Sequence, residues 1–184
     1  MGTIVCITGM PAAGKSSVGR ILAKRGFKVY ELGDIVREMM SQMGIAVTPE
    51  SDKKFTIWMR KRYGNLVTVK RLSKEVNLKK ARRVAIVGLR SKPEIDYLRR
   101  YGSVTIIAVV APLKQRYYRV VKRGRPDAPR SVAEFERRDK KEEGWGLLAA
   151  IRSADFMIAG TGNFRQLEKS VGEALLQMKD AKAF

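Results

Sequence analysis

Short apolar runs rich in β-branched residues alternate along this chain with stretches whose apolar positions recur every three or four residues. Residues 3–8 (TIVCIT) are nearly all apolar, as in a strand buried on both faces. Similar runs predict strands at 28–32, 84–87, 104–110 and 155–158, of which 104–110 (VTIIAVV) is the most strongly marked. Helical spacing predicts a helix at 16–24, with Val18, Ile21 and Leu22 on one face and Gly26 as its stop. Further helices are predicted at 34–43, ended by Gly44, at 49–63 and 66–76, both heavily basic, and at 93–101. A helix from Pro112, placed as its first residue, runs to about 122. After a loop at 124–129 (GRPDAP), residues 131–143 form the next, with Ser131 as N-cap and Glu134 completing a capping box. An amphipathic helix at 163–178 closes the chain. Five apolar strands alternating with helices predict an α/β fold, a five-stranded parallel sheet with helices on both faces. At 184 residues the chain is read as one domain with its own core.

The segment after the first strand sharpens this. Gly9-Met10-Pro11-Ala12-Ala13-Gly14-Lys15-Ser16-Ser17 carries G-x-x-x-x-G-K-S between a buried strand and a helix start, where a phosphate-binding loop belongs. The glycines let backbone N–H groups turn inward on phosphate oxygens, and the helix N-terminus adds positive dipole character. Lys15 would reach the β and γ phosphates, and the Ser16 hydroxyl would ligate Mg²⁺. ATP with Mg²⁺ is the expected ligand of this P-loop NTPase fold.

Other residues address what faces the γ-phosphate. Asp34 and Arg37 open the second helix three residues apart, on one face. Arg90 follows the third strand, at the carboxyl end where open parallel sheets bind ligands. Arg116, Arg119 and Arg123 share a helix face, and beyond the Gly/Pro loop come Arg137, Arg138 and Asp139. Two arginine sets around a loop read as a lid over about 123–144 that closes on ATP and excludes water. The alternative for each is a solvated surface arginine.

Charge widens the field of partners. Lys and Arg total 38 against 18 acids, a net charge of +20, which attracts polyanions without naming one. The run between Arg60 and Arg83 is densely basic, and Phe55, Trp58 and Tyr63 lie beside it. These aromatics would stack on bases if the face bound RNA. The favoured alternative turns Phe55, Trp58 and Met59 into the core and leaves a solvated basic face. The chain has no histidine, which excludes histidine acid–base and metal chemistry, and its one cysteine, Cys6, belongs in the core and argues for a reducing compartment. No apolar run is long enough to span a membrane, so a cytoplasmic protein is expected. Trp145, between two glycines, is expected near the base of the lid.

In combination these segments resemble the nucleoside monophosphate kinase group, adenylate kinase above all. They resemble more closely an archaeal family of adenylate-kinase-like and dephospho-CoA-kinase-like P-loop proteins. The matching segments are Gly33-Asp34…Arg37, Val87-Gly88-Leu89-Arg90-Ser91, Phe135…Arg138-Asp139…Glu142…Gly144 and Ala154-Asp155. The resemblance implies that Lys15 and Ser16 handle ATP and Mg²⁺, that Arg37 and Arg90 hold an acceptor phosphate, and that Arg119, Arg123 and Arg138 close on the transferring phosphates. It implies an acceptor-binding helical insert at about 34–80. The activity implied is transfer of the ATP γ-phosphate to a small nucleotide, an AMP-like monophosphate first. A dephospho-CoA-type hydroxyl acceptor would need a base, for which Asp34 is the candidate. Where that family has an acid before G-x-R, this chain has Val87, and the asparagine usual after the last strand is replaced within 159–162. The loss of the acid, with the net charge, favours an alternative: an adenine-nucleotide-binding ATPase with weak or no transfer, acting with RNA or a ribosomal partner.

Overall fold

The computed structural model describes residues 2–124 and 128–180. The chain forms a five-stranded parallel sheet in the order β2-β3-β1-β4-β5. β1 (Gly2–Thr8) is central, between β3 (Arg83–Leu89) and β4 (Gly102–Val110), with β2 (Lys28–Glu31) and β5 (Phe156–Ala159) at the edges.

Alternation along the strands builds two cores. Ile4, Cys6, Val84, Ile86 and Ile106 point to one side, where α2 (Leu32–Gln42), α3 (Pro49–Tyr63), α4 (Val67–Glu75), α5 (Lys92–Leu98) and α8 (Leu147–Arg152) cover them. Val5, Ile7, Ala85, Val87, Ile107 and Val109 point to the other, under α1 (Lys15–Lys24) and α9 (Phe164–Asp180). Strands covered on both sides gain from apolar residues at every position, which is why the runs lack a polar face. Cys6 is fully buried, as expected, and burial pushes its thiol pKa up.

Two helices are fixed differently. The one buried position of α6 (Leu113–Arg123) is Arg116, and those of α7 (Val132–Gly144) are Phe135, Asp139 and Glu142. No described helix is long and apolar enough to cross a membrane.

Several expectations need adjustment. β3 runs two residues past its predicted end through a bulge: Ile7 pairs with Val87 but Thr8 with Leu89, and Gly88 takes φ +94°. The Thr8 hydroxyl donates to the Leu89 carbonyl at 2.9 Å and fixes the bulge. Pro112 is the N-cap of α6 rather than its first residue. Ser131 caps α7 as predicted, but Glu134 reaches the backbone N–H of Arg130 and not that of Ser131. The helix α8 was not anticipated. Trp58 is corrected: Phe55 and Met59 are buried, but the indole lies on the flank of α3 and is 40% exposed, while Arg60 turns inward. The loop expected at 124–129 includes residues 125–127, which lie outside the described residues.

Candidate active site

β1 delivers the chain to a loop, residues 9–14, at the carboxyl edge of the sheet. Gly9 takes φ +140°, and a Cβ there would lie 2.3 Å from the Val109 carbonyl oxygen. Ala12 at φ 59° and Gly14 at φ 114° complete a turn whose left-handed residues are of the kind found in anion-binding loops. Two arginines of α6 hold the loop from outside. Arg116 donates to the Pro11 carbonyl at 3.2 Å, and Arg119 to those of Ala12 at 3.4 Å and Ala13 at 3.3 Å and to Gly160 beyond β5.

Lys15 is the first residue of α1, and its ammonium donates to the carbonyls of Gly9 at 2.7 Å and Met10 at 2.8 Å. These oxygens hold the ammonium against the loop. Burial pulls its pKa down to about 8; the Glu142 carboxylate opposes this, while Arg90, Arg138 and Arg116 reinforce it.

Lys15 and Ser16 line a cavity of about 170 Å³ together with Arg37, Arg90, Arg123 and Arg138. Of the sequence-predicted cations, Lys15, Arg37, Arg90, Arg123 and Arg138 are therefore brought together, whereas Arg119 lies outside this lining. Asp34 is placed differently. It is exposed, outside the cavity lining, and its carboxylate pairs with Arg37. Among the described residues, the carboxylates that line the cavity are Glu31, at the end of β2, and Glu142 of α7.

Glu142 joins the two halves of the site. It is buried and accepts from Arg90 Nε at 2.7 Å. The turn that presents Arg90 is fixed from below: Glu94 accepts the backbone N–H groups of Arg90 at 2.7 Å and Ser91 at 3.0 Å, and is paired to buried Arg60 at 3.2 Å. The Trp145 ring lies against Lys141 at 4.6 Å, Arg60 at 4.8 Å and Arg90 at 5.2 Å. α7 is fastened by a bidentate pair, Arg116 to Asp139 at 3.0 and 2.6 Å.

A second cavity of about 390 Å³ shares Arg90, Arg138 and Glu142 with the first and continues along Trp145, Lys141 and Thr56. A third, of about 180 Å³, lies on the other side of the loop, where Arg119 and Arg123 meet Gly14, Ser17 and residues 160–164. Two of these cavities thus adjoin the loop, a cationic centre and a chamber on the β5 side, and the chamber on the α3 side joins the cationic centre through Arg90, Arg138 and Glu142.

Sequence reasoning missed Glu31, Arg60, Glu94 and the fastening role of Arg116 with Asp139, and quoted Glu142 without a role. One signal was available. Phe135, Asp139 and Glu142 fall at i, i+4 and i+7, so α7 carries a buried stripe in which two of three positions are acids.

Such a loop on such a sheet defines a P-loop nucleotide-binding protein with a kinase-like fold. A model described as an AAA domain matches residues 5–143. The chain is 36% identical over 181 residues to a UPF0200 protein of Pyrobaculum aerophilum, covering 97% of this chain and 100% of the relative. It is 37% identical over 173 residues to a UPF0200 protein of Thermococcus kodakarensis, covering 91% and 94%. The chain belongs to this UPF0200 family. Solved structures with the same fold include a gluconokinase from Sinorhizobium meliloti, with TM-score 0.62 and 15% identity over 100% of this chain and 96% of that one. Another is a shikimate kinase from Acinetobacter baumannii in complex with shikimate, with TM-score 0.59 and 17% identity over 97% and 95%.

Proposed function

We propose that this protein is an ATP-dependent phosphotransferase that moves the γ-phosphate of ATP to a small anionic nucleotide, with an AMP-like monophosphate as first candidate. The observation that carries this reading is the convergence of Lys15, Arg37, Arg90, Arg123 and Arg138 on one cavity that opens into a second chamber. A nucleotide hydrolase needs one nucleotide chamber. A phosphotransferase needs two that meet at the transferring group, and here they meet at Arg90, Arg138 and Glu142.

ATP would place its phosphates on the loop and its base in the chamber by Arg119 and residues 160–164. Backbone N–H groups and Lys15 bind the β and γ oxygens. Arg123, which lines both chambers on that side, and Arg138 face the transferring group. Arg37 and Arg90 hold the acceptor phosphate. An acceptor oxygen bonds to the γ-phosphorus as the bond to the bridging oxygen breaks and ADP leaves, so cations there stabilise the charge spread over the phosphoryl oxygens. The residues present fit Mg²⁺. The Ser16 hydroxyl and the Glu31 carboxylate line the same cavity as Lys15, and this hard cation takes most of its ligands from phosphate and water. When bound, it would neutralise the β and γ oxygens.

One observation favours a second acceptor class. An ionised phosphate needs no base, but a hydroxyl must give up its proton, and the Glu31 carboxylate lines the cavity where Asp34 does not. The structural relatives named for gluconate and shikimate kinases make a hydroxyl acceptor the alternative.

The test is a transfer assay with ATP and Mg²⁺ against nucleoside monophosphates, dephospho-CoA and small polyhydroxy acids, with products separated by chromatography. ADP formed in step with one phosphorylated acceptor supports the reading. ADP formed equally with and without every acceptor means hydrolysis and sinks it.

A further inference from the structure

A groove on the other side of the α2–α4 layer lies apart from this chemistry. It encloses about 620 Å³ between Met39, Met43, Trp58, Tyr63, Val67 and Tyr97, and among the described residues none that lines it lines the cavity of Lys15. Met43 is 54% exposed and Tyr63 53%, and with Trp58 they form a contiguous apolar patch, the kind of surface soluble proteins keep for partners. We propose that this groove docks an acidic amphipathic segment of a partner protein.

Charge selects the sign of the partner. Lys70 and Lys74 line the groove one helical turn apart on α4, both are exposed, and neither pairs with a carboxylate among the described residues. Arg71, between them, is satisfied by Glu75 at 2.7 Å and Gln42 at 2.8 Å and serves as wall. A second copy of a chain with net charge +20 is repelled from such a rim, whereas an acidic segment is drawn to it.

Ring geometry selects a peptide over RNA. Base stacking needs an open ring face. Here Phe55 and Trp58 lie 5.4 Å apart, Trp58 and Tyr63 meet edge to face at 5.7 Å, and the Arg62 guanidinium lies 5.8 Å from the Tyr63 centroid. The rings engage one another, and Trp58 and Tyr63, backed by buried Phe55, line the groove as an apolar wall. Exposed Met43, with buried Met39 beneath, supplies adaptable surface in the same groove, as in grooves that take the apolar stripe of a helix. The nine residues of α4 run about 13 Å, room for about two and a half turns of a partner helix.

The proposal stands independently of the phosphotransferase reading. It is tested on the full chain by fluorescence anisotropy with a labelled 14-residue helical peptide carrying leucine at i, i+3, i+4 and i+7 and glutamate on its other face. The controls are the same composition with leucines dispersed, the same leucine stripe with lysine for glutamate, and labelled oligouridylate. The striped acidic peptide is expected to bind at least tenfold more tightly than either peptide control. Lys70→Glu with Lys74→Glu, and separately Trp58→Ala or Tyr63→Ala, should each cost tenfold or more while ATP binding stays unchanged. Equal binding of the dispersed peptide, binding that survives charge reversal, displacement of the peptide by oligouridylate, or no peptide binding at all would each overturn it.

Discussion

β1 and α7 are both firmly anchored in the molecule, by opposite means. Val5, Cys6 and Ile7 of β1 are sealed among apolar neighbours on both sides of the sheet. The buried stripe of α7 is one phenylalanine and two carboxylates, matched by Arg116 and Arg90. Apolar burial is favourable wherever water is excluded and asks little of geometry. A buried ion pair roughly breaks even in energy and is demanding in geometry. The sheet therefore supplies stability, and α7 supplies placement. Its anchoring arginine, Arg116, also braces the loop, and its other partner, Arg90, lines the cavity with Lys15, so fastening α7 and assembling that cavity are one event.

The largest expected effect comes from breaking that fastening on one side. Asp139→Ala leaves Arg116 buried without a counter-charge and should cost about 3–5 kcal/mol in chemical denaturation. Arg116→Met combined with Asp139→Leu should restore most of that stability. It should not restore nucleotide affinity, because the Pro11 carbonyl has lost its donor. A loss below about 1 kcal/mol for the single substitution would mean that α7 is not held by this pair.

Next in size is Lys15→Ala. It removes the charged donor to the phosphates and should weaken ATP binding roughly a hundredfold, about 2.7 kcal/mol, by calorimetry. Stability should hold, because the substitution also removes a partly desolvated ammonium. Unchanged ATP affinity would sink the role given to the loop.

Arg90→Ala should raise the acceptor KM about ten- to a hundredfold, the equivalent of about 1.4–2.7 kcal/mol, and leave the ATP Kd within about twofold. If ATP affinity falls instead, the chamber assignment is wrong. At the other pole of the comparison, Ile86→Val should cost about 0.5–1.5 kcal/mol of stability and change neither constant. Core and site would then be separable on the sheet and inseparable in α7.

The same contrast explains what could be read from the chain. Residues 3–8 and 104–110 declared themselves as strands because both of their faces are buried, and the phosphate loop because its chemistry is contiguous. The ion pairs left no local pattern: Arg116 and Asp139 are 23 residues apart, and Arg60 and Glu94 are 34. Among 38 basic residues nothing distinguished the buried arginines 60 and 116 from those left in solvent. Asp34 attracted attention by position, whereas Glu31 entered the cavity because β2 ends there. The bulge at Gly88 was invisible for the same reason, since a register shift is a property of two strands and not of one.

The smallest effect concerns pH and singles out Lys15. Its pKa, lowered from an ordinary value near 10.5 to about 8, means that between these values the unfolded chain binds a proton that the folded one does not. This residue therefore makes folding stability rise with pH across that window. Nucleotide binding must run the other way. The phosphates need the ammonium, so ATP affinity should be level below about pH 7 and fall above pH 8, by at most tenfold per unit. Lys15→Arg, which stays charged throughout, should flatten the upper limb even if its affinity is lower at every pH. An unchanged fall in Lys15→Arg would place the titrating group elsewhere, and a level profile up to pH 10 in the natural protein would mean that Lys15 keeps its proton. In that case Glu142 and Asp139 already offset Arg90 and Arg116 before nucleotide arrives, and the ion pairs that place α7 also set the charge around Lys15.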